Sequence, residues 1–252
     1  MMNRFIIVLS MAVGSGFAFA QDGAHGGHGS HEGHGHGSHG GHHGMDDAQV
    51  APLHPIRDGV SAVIDRDART VKLAAYTQPD RFNKSTHMPG FHCVVPQQGE
   101  NLQAALFVSF VSKEDFYQAL EGFELNHGDN VPMGAMNRDD GHNFEADILA
   151  TGSVLDLSVT WDGAEREYPL ADLLAIKDDS PKAREFKTVF TGNHERRPVV
   201  GCLTCLYSCP IGTTSNGSLS QRDYGQHPER FRAREDVLPA DGTEVTLIYR
   251  VM

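Results

Sequence analysis

Hydrophobic and polar positions alternate most clearly between Val154 and Trp161, where Val154, Leu155, Leu157, Val159 and Trp161 nearly alternate with polar residues. That period of two marks a half-buried strand, and Asp162-Gly163 turns the chain back towards Glu165–Tyr168 as a hairpin. Gly59–Ile64 and Thr70–Tyr76 read as a second hairpin across residues 65–69, Phe91–Val95 as a short strand, and Ala105–Val111 (ALFVSFV) as a buried one. Ser112 then offers an N-cap with Glu114 and Asp115 behind it, and Phe116, Leu120 and Phe123 form one apolar stripe at i, i+4 and i+7. This is a helix laid on a sheet. Leu170–Ile176 reads as a short helix, Phe186–Phe190 as a strand, and Glu244–Val251 as the last strand, after the turn Asp241-Gly242. Residues 193–242 have few apolar runs and read as irregular backbone. The predicted fold is α+β: mostly antiparallel sheet, one main helix and a cysteine-bearing irregular C-terminal segment.

Two stretches depart from this globular pattern. Residues 1–20 place Arg4 before an apolar run from Phe5 to Val13, then small residues leading to Ala18-Phe19-Ala20, the layout of a secretory signal peptide cut before Gln21. No Arg-Arg pair precedes the run and no lipid-anchoring cysteine follows it, so the expectation is export by the general secretory route to a periplasmic or secreted location, without a membrane anchor. Residues 21–50 hold His25, His28, His31, His34, His36, His39, His42 and His43 among Gly and Ser. The stretch from His25 to His43 has nothing apolar to bury, and residues 21–50 are expected to be a disordered tail. Its imidazoles suit zinc, copper or nickel, and binding should fade below about pH 6 as they protonate. Residues 51–252 remain for a single globular domain.

Charge narrows the partners. With 33 acidic against 21 basic residues and a formal net charge of -12, the chain has no electrostatic footprint for nucleic acid. Metal ions, or another exported protein, are the expected partners.

The densest chemistry lies at Gly201–Gly212, GCLTCLYSCPIG, where Cys202, Cys205 and Cys209 form a C-x2-C-x3-C-P run. It repeats the tail of the bacterial ferredoxin run, with Val199 where the first cysteine would stand. A metal site here needs a fourth ligand, and Cys93, His92, His194 and His227 are the candidates. Soft thiolates favour zinc or copper(I), whereas a preassembled iron-sulfur cluster is disfavoured by a route that crosses the membrane unfolded. In an oxidising compartment disulfides compete, and Cys93 paired with one motif cysteine would leave the other two to pair. A C-x2-C thiol-disulfide oxidoreductase is the third reading, weakly supported by the strand potential of residues 198–201.

Beside this run, His87-Met88-Pro89-Gly90-Phe91-His92-Cys93 gathers two imidazoles, a thioether and a thiol, the ligand set of extracytoplasmic copper sites, and Met133 and Met136 add thioethers. His127, His142 and His194 read as exposed loop residues. No Gly-x-Ser-x-Gly elbow, phosphate loop or His-Glu-x-x-His helix is present, so the chain reads as a binding protein rather than an enzyme.

GCLTCLYSCPIG followed by Thr214-Ser215-Asn216, Val237-Leu238-Pro239 and Asp241-Gly242-Thr243-Glu244-Val245 resembles the YdjY-domain family of exported bacterial proteins over most of residues 54–252. Ala104–Val111, Phe116–Leu120, His127-Gly128-Asp129-Asn130 and Leu157–Trp161 are similar in kind. The resemblance implies a ferredoxin-like label resting on Cys202, Cys205 and Cys209, and no established activity. The leading expectation is an exported metal-binding protein with a His-rich collecting tail and a cysteine loop holding a thiophilic metal or an iron-sulfur cluster. The alternatives are a disulfide-stapled interaction module and the oxidoreductase.

Overall fold

The strands at the centre of the structure are those with the plainest alternation. The computed structural model describes residues 51–133, 137–138, 141–142, 147–178, 180–197, 199 and 201–252. The expected signal peptide and histidine tract, with Met136, Pro198 and Val200, lie outside these residues, as does the side chain of His142. Strands β1 (Val63–Asp65) and β2 (Thr70–Thr77) form the first hairpin, followed by α1 (Pro79–Lys84), β3 (His92–Pro96), β4 (Ala105–Ser109) and α2 (Lys113–Glu121). A small pair, β5 (Asn137–Arg138) and β6 (Gly141–His142), precedes β7 (Ser153–Trp161), β8 (Tyr168–Pro169), β9 (Leu174–Ile176), α3 (Pro181–Arg184) and β10 (Thr188–Phe190). The chain ends with β11 (Thr204–Cys205), β12 (Thr214–Asn216), α4 (Gln221–Gln226), β13 (Phe231–Ala233) and β14 (Glu244–Val251).

The main sheet runs β1-β2-β14-β7-β10-β12-β11-β3-β4, and β4 pairs back onto β2. Strands β2, β14, β7, β10, β12, β11, β3 and β4 therefore close into an eight-stranded barrel. Two of its pairings, β3–β4 and β11–β12, are parallel. This corrects the predicted α+β class with a mostly antiparallel sheet and one main helix: the protein is a mixed β-barrel with few, short helices. The longest helix among the described residues, α2, has nine residues.

Closure explains the discrepancy. Long strands β2, β7 and β14 pair antiparallel in continuous register, Glu244 with Tyr76 through to Arg250 with Thr70, and Val245 with Trp161 through to Val251 with Leu155. Their alternation is legible because one face is buried. By contrast β11 and β12 have two and three residues, all buried, and apart from Cys205 these are Thr204, Thr214, Ser215 and Asn216, which carry no hydropathy signal. The predicted irregular segment thus supplies two barrel strands. Leu170–Ile176 likewise divides into a 3-10 turn, Leu170–Leu173, and strand β9, which pairs with β13.

Buried polarity joins these short strands to the rest. Thr204 Oγ1 lies 2.8 Å from Thr214 Oγ1 and 2.7 Å from the Tyr249 hydroxyl. Ser112 caps α2 by accepting from the Asp115 N–H at 3.0 Å, and Phe116 on that helix packs on Tyr249 with ring centroids 4.7 Å apart. Helix α2 is thereby fixed beside the strands that carry the cysteines. Replacing Thr204 with Val keeps the volume and strips the Tyr249 hydroxyl of its partner, so a loss of about 1–3 kcal/mol is expected in urea unfolding; a change under about 0.5 kcal/mol would contradict this account of closure.

Candidate metal centre

The cysteine run lies along β3. Leu203 N–H donates to Val94 O and Leu206 N–H to Phe91 O, both at 2.9 Å, and Cys205 on β11 stands opposite His92 on β3. This pairing puts His92 Nδ1 3.2 Å from Cys202 Sγ. The ligand atoms of His92, Cys202 and Cys205 all lie within 4.8 Å of one another, and all three residues are buried. Cys209 adds a third sulfur in hydrogen-bond contact with Cys202 and Cys205. Close approach needs small residues at both ends of the run. A Cβ on Gly212 would fall 2.6 Å from Thr214 O, and one on Gly201 would fall 2.7 Å from Arg197 O and 3.0 Å from Lys113 Nζ.

The loop Cys209–Gly212 is held by its carbonyls. Asn130 Nδ2 donates to Cys209 O at 2.9 Å and to Gly212 O at 3.1 Å; Asn193 Nδ2 and Arg196 Nη1 donate to Pro210 O at 3.0 and 2.9 Å; Lys113 Nζ donates to Ile211 O at 2.6 Å. In a trans peptide the carbonyl and the following N–H point opposite ways. Fixing Pro210 O and Ile211 O outward therefore turns the Ile211 and Gly212 N–H groups onto the Cys209 sulfur, which accepts from both.

Electrostatics follow from that arrangement. Burial pushes the Cys209 thiol up, but donation from Cys202, Cys205 and the two backbone N–H groups outweighs it and holds Cys209 well below the usual thiol range. Burial and the neighbouring sulfurs push Cys205 well above it. For Cys202 the contact with Cys205 pulls down, while Cys209 and burial push it well above the usual value. Cys209 is thus the sulfur that the centre favours as thiolate, with Cys202 and Cys205 favoured as thiols. Lys113 is the adjacent cation: burial lowers its pKa, and the Cys202, Cys209 and Cys205 sulfurs push it back up. Burial, with His87 adding to it and Cys209 opposing, lowers the His92 imidazole to about 4, so His92 is neutral at pH 7 and has a lone pair for a metal.

The YdjY domain family matches residues 62–250, which span the barrel and the cysteine run. The chain belongs to the YdjY family. The uncharacterized protein YdjY of Escherichia coli (strain K12) is 30% identical over 161 residues, covering 64% of this chain and 67% of that protein. No solved structure matches the chain.

Within this YdjY domain the candidate ligands separate. His92 and Cys93 are consecutive on β3, so their side chains leave opposite faces of the strand. His92 faces Cys202, while Cys93 is raised by burial alone and is outside the His92–Cys202–Cys205 group. All four cysteines are unbridged. His194 stacks on Tyr117 at 3.9 Å and His227 lies 4.0 Å from Asp178, so neither joins the group. His127 is exposed and contacts Glu121. The eight tail histidines, His25 to His43, lie outside the described residues.

Lys113, Asn130, Asn193 and Arg196 were not legible as site residues. Asn130 alone had a signal, in the His127–Asn130 stretch shared with the family. The other three act on backbone carbonyls, which no ligand-spacing pattern reveals.

His92 makes stability depend on pH. Unfolded, its pKa is the usual 6.5; folded, it is about 4, so the unfolded chain binds the proton first as pH falls. Its contribution is full above pH 6.5 and is lost on descending to about 4, a span worth roughly 3 kcal/mol. Urea unfolding of metal-free protein between pH 7.5 and 4.5 is expected to show a drop that His92→Asn flattens by about 2 kcal/mol or more. An equal drop in both proteins would contradict a buried neutral His92.

Proposed function

We propose that this YdjY-family protein is an exported, non-enzymatic metal-binding protein whose barrel holds one thiophilic ion between His92, Cys202 and Cys205, with Cys209 completing the set. The mutual spacing of these ligand atoms, within 4.8 Å, carries the reading. Metal–nitrogen bonds near 2.0 Å and metal–sulfur bonds near 2.3 Å place tetrahedral ligand atoms about 3.3–3.8 Å apart. The 3.2 Å between His92 Nδ1 and Cys202 Sγ is close to that without rearrangement. A core of several irons and sulfides spreads its cysteine sulfurs further than a single ion does, so the spacing favours one ion over the cluster that the ferredoxin-like label implies.

Binding releases the Cys202 and Cys205 thiol protons, which makes affinity rise with pH. The incoming cation and Lys113 then offset the thiolates in a site shut off from water. His25, His28, His31, His34, His36, His39, His42 and His43 serve as a collector for zinc, copper or nickel in the periplasm. The signal-peptide layout of residues 1–20 supports export and a periplasmic location. No helix among the described residues is long and apolar enough to cross a membrane.

Cobalt(II) separates the centre from the tail, because only thiolate ligation gives a sulfur-to-cobalt charge-transfer band. One equivalent added to the reduced full chain is expected to give that band. Cys202→Ser and Cys205→Ser should each weaken binding at least about tenfold, while Cys93→Ser leaves the band unchanged. Cobalt(II) affinity left unchanged by Cys202→Ser, or native protein with no free thiols and no metal, would overturn the centre. Deleting residues 21–44 should lower the zinc or copper stoichiometry and spare the band; equal stoichiometry with and without the tail would end the collector role.

A further inference from the structure

Each of the three sulfurs belongs to a residue at most 2% exposed, so an ion needs a way in. A cavity of about 250 Å³ is lined by His87, Met88 and Met133 together with His92 and Cys209 of the centre. Exposure falls along this set: Met133 is 38% exposed, His87 and Met88 are half-buried, His92 is 3% and Cys209 1% exposed. The cavity therefore grades from thioethers and an imidazole near solvent to an imidazole and a cysteine sulfur in the interior.

Two further observations point to a ligand in it. His92 lines the cavity with Nδ1 engaged by Cys202, while its Nε2 is buried with no hydrogen-bond partner. An unpartnered buried ring nitrogen is costly unless something occupies it. Met88 has a φ of 42°, a left-handed conformation that a non-glycine residue adopts only when its surroundings impose it, and such strain gathers at ligand sites.

We propose that this cavity is the intake site for copper(I): Met88, Met133 and His87 take the ion and pass it to Cys209 and His92. The proposal rests on the metal-binding reading of the centre and names its ion. Charge and softness both select copper(I). The outer ligands are two thioethers and an imidazole, none of which brings a negative charge, and Glu100 and Arg197 on the cavity wall pair with each other, so their charges cancel. The cost of taking an ion from water rises with the square of its charge, which penalises a divalent ion among neutral ligands far more than a monovalent one. Thioether and thiolate sulfur also prefer copper(I) to zinc on softness alone. Thioethers stand at the solvent end of the cavity and cysteine sulfur at its interior end, so transfer runs inward.

The test is anaerobic stopped-flow loading of the reduced full chain with copper(I) supplied from a competing chelator, read by growth of the thiolate-to-copper charge-transfer band. Met88→Leu/Met133→Leu keeps the volume of both side chains. It is expected to slow loading at least about tenfold, with the final amplitude and the cobalt(II)-thiolate spectrum unchanged. His87→Gln, which spares the methionines, is expected to slow loading in the same direction and serves if the double variant fails to fold, as an altered cobalt(II) spectrum would show. Loading at the wild-type rate in the folded variants would overturn the intake site and leave the centre standing. Wild-type protein that gives the cobalt(II) band but no copper(I) band would overturn the choice of ion, and protein that gives neither would remove the centre and the intake site together.

Discussion

Side-chain donors on four consecutive carbonyls, Cys209 to Gly212, are the constraint on which the centre depends. Left to itself, a Cys-Pro-Ile-Gly turn would present its carbonyls to the sulfurs as readily as its amides. Asn130, Asn193, Arg196 and Lys113 remove that choice by holding the carbonyls away, and the peptide planes then deliver the Ile211 and Gly212 amides to Cys209. Thiols buried this completely would otherwise be neutral, as Cys93 is. Donation from the Cys202 and Cys205 thiols, together with the two amides that the carbonyl contacts orient, is therefore what makes Cys209 different from Cys93 in the same protein.

The barrel makes those contacts possible by bringing distant segments to one place. β3 supplies His92, β11 supplies Cys205, and the loop between β11 and β12 supplies Cys209. Helix α2 has two jobs: Phe116 packs on Tyr249, and Lys113, in its first turn, reaches the carbonyls of Ile211 and Arg196. A buried lysine is unfavourable unless paired, and here the sulfurs offset that cost. Fold and site are thus stabilised by the same side chains, which also restricts how far the loop can open when an ion binds.

Much of this was legible in the sequence, for identifiable reasons. The hairpins around Asp65–Arg69 and Asp162-Gly163, the Ser112 cap and the final strand follow from local periodicity and turn chemistry, which survive any tertiary arrangement. Barrel closure through β2 and β4 does not, because it is a pairing between strands about thirty residues apart with no local signature. Thr204, Thr214, Ser215 and Asn216 read as loop because buried strands normally show apolar runs, and these are satisfied by hydrogen bonds instead. At the site, the three-cysteine run and His92 stood out by residue type. Whether His92 or Cys93 faced the run depended on the face each takes on β3, a matter of register that a single sequence leaves open.

The central claim is that His92 and the cysteine run share one ion. X-ray absorption at the metal edge of protein loaded with a single equivalent tests it most directly. The account expects sulfur scatterers near 2.3 Å with one imidazole nitrogen near 2.0–2.1 Å and no metal–metal vector. A short metal–metal vector, or a shell of nitrogen and oxygen without sulfur, would contradict it.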